Sequence, residues 1–324
     1  MFKTRFTELT GVKYPIMQGG MMWISTPEFV AAVSNSGCLG TLTALSAASP
    51  EELSVNINKV RQFTSNPFAV NITLLPTLRP VNYDSYIDVI IGEGIKTVET
   101  AARNPEEFTG KLKAAGITII HKCTSLRHAM KAQELGCDII SIDGYECAGH
   151  PGEDDVTSLV ILPIVANNLK IPVIGSGGFA DGKGLVAALA LGAAGINMGT
   201  RFMITEEAPM HRNVKNWLCQ ATERDTMILL RSFENSMRVV KNSVSLNAAK
   251  LEKKGAAIEE LAPLIKGKRG LAMMESGDIN EGLMNAGQAI GLINDIPTIQ
   301  QMVDHMIAEA EQVISRRLNP LLSN

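Results

Sequence analysis

Eight short apolar runs, each ending in glycine or a polar residue and each followed by an amphipathic stretch, constrain this chain more than any other feature. They begin at Tyr14 (YPIMQGG), Cys38 (CLGTLTA), Phe68 (FAVNIT), Thr97 (TVETA), Ile117 (ITIIHKC), Asp138 (DIISIDG), Pro172 (PVIGSGG) and Gly195 (GINMGT). Their apolar character is continuous rather than alternating, as in parallel strands buried on both faces. Helix signals lie between them. Thr26-Pro27 offers an N-cap and an N1 proline. Ser49-Pro50-Glu51-Glu52 and Asn104-Pro105-Glu106-Glu107 open two more helices, and Gly37, Gly116, Gly136 and Gly192 sit where helices stop. A strand–helix unit repeated eight times, at intervals of roughly 20–35 residues, is the rhythm of an α/β fold of the (β/α)8 TIM-barrel type. An open doubly wound sheet is the alternative, but such sheets usually have fewer strands.

The rhythm breaks after Arg201. Residues 210–286 read as helices (VKNWLCQATE, SMRVVKNSVSLNAAKLEKK, IEELAPLIK, GLMNAGQAIGLI) with no strand candidate between them. The expected organisation is a TIM-barrel domain from 1–209 and 287–324, with a helical insertion domain, 210–286, after strand 8. In the final stretch Ile299, Met302, Val303, Met306, Ile307 and Ala310 follow helical spacing. That helix is expected to be the eighth outer one.

Composition narrows the function classes. At 324 residues and 45% hydrophobic, the chain can bury a large core. A net charge of −3 without a Lys/Arg cluster leaves no footprint for nucleic acid. The N-terminus is too polar for a signal peptide, and no apolar run approaches the roughly 20 residues of a membrane span. Five scattered cysteines without a CxxC pair argue against a disulfide framework or a zinc site. A cytoplasmic location is expected. The oligomeric state is open.

In a barrel, polar residues at the C-terminal strand ends form the active face. Gln18, Asn71, Thr73, Glu99, Lys122, Asp143, Ser176 and Thr200 lie at or near such ends, as does the His150 loop. GSGGFA, from Gly175, fits a dinucleotide-binding fingerprint, but no acidic residue ends the next strand to hold a ribose. In a barrel the loops after strands 7 and 8 commonly bind phosphate, and GSGG and MGTRF occupy those places. The competing reading is two tight turns that need glycine.

Lys122 ends an apolar strand and needs an anionic partner. It is either half of a barrel-mouth ion pair with Asp143 or Glu99, or a cation facing a cofactor that gains negative charge on reduction. His121 alternates to the helix layer. His150 lies in AGHPG, where Gly149 and Gly152 permit unusual backbone geometry and Pro151 restricts it to extended conformations. Held there, it could serve as a base or as a donor to a developing anion. Glu153, Asp154 and Asp155 are not spaced as a metal site. They are expected to lead into the next helix, with Asp154 or Asp155 as its cap, and to bind nothing. Cys147 reads as packing, and no G-x-S-x-G element suggests a serine hydrolase.

PIMQGGM, VNIT, HKC, SIDGYECAGHPGEDD, SGGFADGKG and INMGTRF together resemble the FMN-dependent nitronate monooxygenase (2-nitropropane dioxygenase) family, closest to its NAD(P)H:quinone reductase branch. The resemblance implies bound FMN at the C-terminal face of a TIM barrel. Carried over by position, Gly20, Met21 and Met22 would touch the flavin through backbone. Thr73 would hydrogen-bond it, Lys122 would sit near its pyrimidine end, and Ala148 would contribute from the His150 loop. Ser176, Gly177, Gly178, Gly199 and Thr200 would hold the phosphate. His150 matches the family's active-site histidine, with Lys122 as its catalytic companion.

The implied reaction is hydride transfer from NADH or NADPH to flavin N5, then two-electron reduction of a quinone. No basic residue marks a 2′-phosphate site, so NADH is expected. The setting of His150, Cys-Ala-Gly-His-Pro-Gly-Glu-Asp-Asp, departs from the Gly-Gly-His-Arg-Gly of the nitronate branch. Oxidation of alkyl nitronates with O2 is therefore the alternative. Reduction of an enoyl group on an acyl carrier is a third reading, and a flavin-free binding module is the non-enzyme one. The loop LLPTLRP, Leu74 to Pro80, is expected to gate the nicotinamide.

Overall fold

The computed structural model describes residues 2–74 and 81–322. The proposed gating loop, apart from Leu74, therefore lies outside the described residues. Eight parallel strands run in chain order around one sheet: β1 (Ile16–Gln18), β2 (Gly40–Thr43), β3 (Phe68–Leu74), β4 (Thr97–Ala102), β5 (Thr118–Cys123), β6 (Ile139–Asp143), β7 (Val173–Ser176) and β8 (Gly195–Met198). β1 pairs with β8, Ile16 opposite Ile196. Bonds from Gln18 N to Leu39 O and from Leu39 N to Ile16 O, both 2.9 Å, join β1 to the residue ahead of β2 and close the barrel. All eight apolar runs are thus strands. Every residue of β1, β2, β6, β7 and β8 is buried, which explains their unbroken hydrophobic character.

The barrel interior is layered, and the layering positions the site. Met17, Leu39, Ala69, Ile120, Ile139 and Ile174 form an apolar floor with Phe6, which the N-terminal helix Arg5–Thr10 brings to the bottom opening. One inward position further along each strand stand Asn71, Lys122, Ser141 and Ser176; Glu99 and Asn197 share their layer. The strands therefore change from an apolar lower layer to a polar upper one, while their outward residues stay mostly apolar, Thr100 and His121 being exceptions. Outside, Pro27–Asn35 and Pro50–Phe63 carry the expected Thr26 and Ser49 caps, and the glycines at 37, 116, 136 and 192 all have left-handed φ. Ile299–Gln312 buries all six residues of its predicted stripe and packs between the helices Gly182–Ala190 and Pro27–Asn35, completing the outer ring.

The insertion differs from the expectation of helices alone. Residues 210–286 contain the helices Arg212–Gln220, Ser243–Lys253, Ile258–Ile265 and Gly267–Ser276, and also an antiparallel hairpin of β9 (Thr226–Leu229) and β10 (Met237–Val240). Its connection carries no glycine. Leu230 and Glu234 themselves adopt left-handed φ, so the usual turn signal is missing from the sequence. Leu229, Leu230, Val239, Ala248 and Leu261 form a small core under the hairpin. Val214, Leu218 and Met273 join the main core. No helix among the described residues is long and apolar enough to cross a membrane.

Candidate functional site

Glu99 organises the polar layer. Its carboxylate is fully buried at the centre of four contacts. Oε1 lies 3.0 Å from Lys122 Nζ and accepts from Asn197 Nδ2 (3.2 Å). Oε2 accepts from Asn71 Nδ2 (2.7 Å) and from Gly20 N (3.3 Å). Thr73 Oγ1 donates to Asn71 Oδ1 (3.0 Å) and Asn197 Nδ2 also donates to Ser141 Oγ (3.1 Å), so five strands share one network. Desolvation works against the Lys122 ammonium, but Glu99 and Asp143 more than reverse it and raise its pKa. Burial raises the pKa of Asp143, opposed by Lys122 and by a hydrogen bond from Ser176. The ion-pair reading and the facing-cation reading of Lys122 are compatible, since Nζ is anchored from below while the side chain lines the cleft above.

That cleft, about 420 Å3, opens at the C-terminal ends of the strands. Its floor requires glycine. A Cβ at Gly20 would stand 2.6 Å from Asn71 Cβ, and one at Gly19 2.7 Å from Asn197 Oδ1. After β7, Gly177 and Gly178 both have left-handed φ, +86° and +84°, and a Cβ at Gly177 would meet Cys147 at 2.8 Å. Two such residues in succession make a turn that only glycine adopts readily, and the lack of side chains leaves their backbone open to close approach by a ligand. The helix Gly182–Ala190 begins just beyond, capped by Asp181. Thr200 Oγ1 accepts from Gly287 N (2.9 Å) and keeps its own proton to donate. A glycine turn and a hydroxyl free to donate, both lining the cleft, are compatible with a phosphate-bearing group there.

The His150 loop forms the opposite lip. Cys147 is buried, its thiol pushed well above the ordinary value by desolvation, in keeping with packing rather than nucleophilic attack. His150 is exposed at the mouth, yet enough protein surrounds its ring that desolvation outweighs the nearby Glu153 and lowers its pKa. The shift favours the neutral imidazole. His121 faces the helix layer, buried and bonded to Thr100 Oγ1 (2.9 Å).

The acidic run after His150 corrects the sequence reading. Neither Asp154 nor Asp155 caps the helix Ser158–Asn168, whose N-cap is Thr157 without a side-chain bond. Glu146 does that work, accepting from Ser158 N at 2.9 Å. Glu153 instead accepts from Ser236 N (2.8 Å) and Ser236 Oγ (2.5 Å), and Asp155 makes a two-pronged pair with Arg231 (3.0 and 3.1 Å). Both carboxylates tie the loop to the insertion.

Gly20, Met21, Met22, Thr73, Lys122, Ala148, His150, Ser176, Gly177, Gly178, Gly199 and Thr200 all line this one cleft. Sequence reasoning offered Glu99, with Asp143, as a possible ion-pair partner of Lys122, placed Asn71 at a strand end without a role, and passed over Asn197. Lone polar residues inside apolar strands were the available signal. It missed entirely the insertion side chains Met237, Ile265, Met274, Leu283 and Met284, which wall the cleft. Nothing in their local pattern separates them from core residues.

The comparisons agree with this geometry. The nitronate monooxygenase family model matches residues 3–79 and 74–309. A Rhodococcus jostii protein named (3aS,4S,5R,7aS)-5-hydroxy-7a-methyl-1-oxo-octahydro-1H-indene-4-carboxyl-CoA dehydrogenase is 33% identical over 95% of this chain and 96% of its own. A probable nitronate monooxygenase of Staphylococcus saprophyticus is 32% identical over 69% of this chain and 75% of its own. Among solved structures, FabK from Thermotoga maritima superposes with a TM-score of 0.91 at 32% identity, covering 98% of both chains. With the barrel, the polar layer and the glycine cradle in place, these matches identify the chain as an oxidoreductase belonging to the nitronate monooxygenase family.

Proposed function

We propose that the chain is an FMN-dependent NAD(P)H:quinone reductase, converting NAD(P)H, a proton and a quinone into NAD(P)+ and a hydroquinone. The observation that carries this reading is the contrast between the two walls of the cleft. The barrel wall presents Lys122, anchored by Glu99, beside the cradle of Gly177 and Gly178. The insertion wall is mostly aliphatic and thioether, from Ile265, Met274, Leu283 and Met284, with Lys266 and Asn285 as its polar members. A flat, neutral, apolar acceptor suits that second wall.

FMN, when bound, supplies a ring that takes a hydride and passes on two electrons. Ser176, Gly177, Gly178, Gly199 and Thr200 would hold its phosphate, while Gly20, Met21, Met22, Thr73 and Ala148 would bound its ring. Lys122 contributes a fixed positive charge that favours the electron-rich state. His150, whose surroundings favour its neutral form, can donate a hydrogen bond to a quinone oxygen.

A second reading is reduction of the enoyl double bond of an acyl-carrier thioester. It is supported by the whole-chain likeness to the carboxyl-CoA dehydrogenase and to FabK, and an apolar wall also admits an acyl chain. One side-by-side assay separates the possibilities. Rapid anaerobic bleaching of the flavin by NADH, with turnover on quinone, supports the proposal. NADH oxidation with an enoyl thioester but not with quinone supports the second reading. Oxygen uptake on propyl-2-nitronate without NADH, and no quinone turnover, identifies nitronate oxidation.

A further inference from the structure

Trp23 is held in place from two sides. Its backbone lies in the left-handed region, φ +63°, where a bulky side chain is an outlier. The turn that enforces this is well bonded: Ser25 N donates to Met21 O (2.9 Å), Met21 N to Ser25 Oγ (2.9 Å) and Trp23 N to Ser46 Oγ (3.2 Å). Across the cleft, the insertion makes room for the indole. A Cβ at Gly267 would stand 2.8 Å from Trp23 Cη2 and 3.4 Å from Cζ3. Gly267 is not among the positive-φ glycines, so its backbone does not demand glycine there. The space occupied by the indole does.

A strained residue whose ring sits against a cleared glycine has a specified position, and both residues line the cleft. Trp23 is half-buried; Met21, Met22 and Ile24 flank it in the chain, and Ile265 and Lys266, which precede Gly267, line the same cleft. An electron-rich indole in thioether and aliphatic surroundings is a platform for a flat, uncharged, electron-poor ring.

We propose that Trp23, braced by Gly267, is a specificity-determining residue that stacks the ring of a fused-ring quinone acceptor. The inference rests on the quinone reductase reading and adds the acceptor's shape: naphthoquinone-like rather than single-ring. The indole belongs to acceptor binding and not to the nicotinamide.

The test uses the FMN-loaded native protein, Trp23→Ala, Trp23→Phe and Gly267→Ala, with 1,4-naphthoquinone and 1,4-benzoquinone as acceptors. Trp23→Ala should raise KM for naphthoquinone about 3- to 10-fold, the equivalent of one aromatic pair. The rise should be smaller for benzoquinone and smaller still in the NADH dependence of anaerobic bleaching. Trp23→Phe should recover most of the loss. Gly267→Ala, which displaces the indole without removing it, should move KM in the same direction. An unchanged naphthoquinone KM in Trp23→Ala, an equal rise in KM for NADH, or loss of FMN in both Trp23 variants would overturn the proposal. A native protein that reduces quinones while Trp23→Ala is indifferent overturns this inference alone. A native protein that reduces no quinone overturns the functional reading and this inference together.

Discussion

Gly149 and Arg238 exchange two backbone hydrogen bonds, Gly149 N to Arg238 O at 3.2 Å and Arg238 N to Gly149 O at 2.6 Å. This antiparallel bridge fastens the residue before His150 to β10. The Arg238 side chain adds to it: fully buried, it donates from Nε and Nη2 to Tyr145 O (3.2 and 2.8 Å) and from Nη1 to Thr226 Oγ1 (3.0 Å), with the guanidinium 4.5 Å from the Tyr145 ring centroid. The insertion is therefore part of the site's framework as well as its wall.

Arg238→Met should loosen this framework. It removes three donors and leaves the buried Tyr145 carbonyl without its side-chain partner, at a cost of about 1–3 kcal/mol. Hydrogen exchange should quicken across 147–152, and kcat should fall while the bound flavin is retained. Exchange at native rates over that segment would show that the barrel alone holds the loop.

The Glu99–Lys122 pair should be sensitive to loss of either member. Removing one partner of a buried pair typically costs about 3–5 kcal/mol. Glu99→Gln keeps the shape and leaves Lys122 with Asp143, so its stability loss, read by chemical denaturation, should lie at or below that range. Lys122→Met should make the bound flavin harder to reduce, read as a lowered midpoint potential. An unchanged potential would confine Lys122 to a structural role.

Acid should weaken the fold through His121. Burial lowers its pKa to about 4, against an ordinary value of 6.5. Between these values the unfolded chain binds more protons than the folded one, so stability rises with pH across this window. The contribution is complete above about 6.5 and is lost as pH falls toward 4; the full shift corresponds to about 3 kcal/mol. Thermal melts from pH 4 to 7 should slope less steeply in His121→Asn than in the native protein. Parallel slopes would assign acid sensitivity to other groups.

Two glycines of the cradle should respond oppositely to alanine. At Gly177 a side chain meets both a left-handed φ and Cys147 at 2.8 Å, so Gly177→Ala should fold poorly or purify with little flavin. At Gly199 the nearest atom to an added Cβ is Met21 Sδ at 3.6 Å, and φ is not positive. Gly199→Ala should keep near-native melting behaviour, measured by thermal denaturation.

His150→Ala should lower turnover and leave FMN bound, because the loop is held by Gly149, Glu153 and Asp155 and not by the imidazole. Flavin content and steady-state rate, measured together, check this. Loss of flavin would make His150 part of the loop's structure.

Much of this was legible in the chain itself. A strand buried on both faces must be apolar throughout, so eight such runs announced eight parallel strands, and two-residue alternation already turned Lys122 inward and His121 outward. Glycines after strands 7 and 8 and the stripe from Ile299 to Ala310 were equally local signals. Other features depend on residues distant in sequence. Glu99 meets Gly20, Asn71, Lys122 and Asn197 only because the barrel closes. The β9–β10 hairpin turns without glycine, and Glu153 and Asp155 find Ser236 and Arg231 only once that hairpin docks. Local patterns report which face of an element is buried, because that follows from repeat period and side-chain chemistry. Which buried polar group meets which, and which wall an insertion contributes, is settled by packing between distant segments.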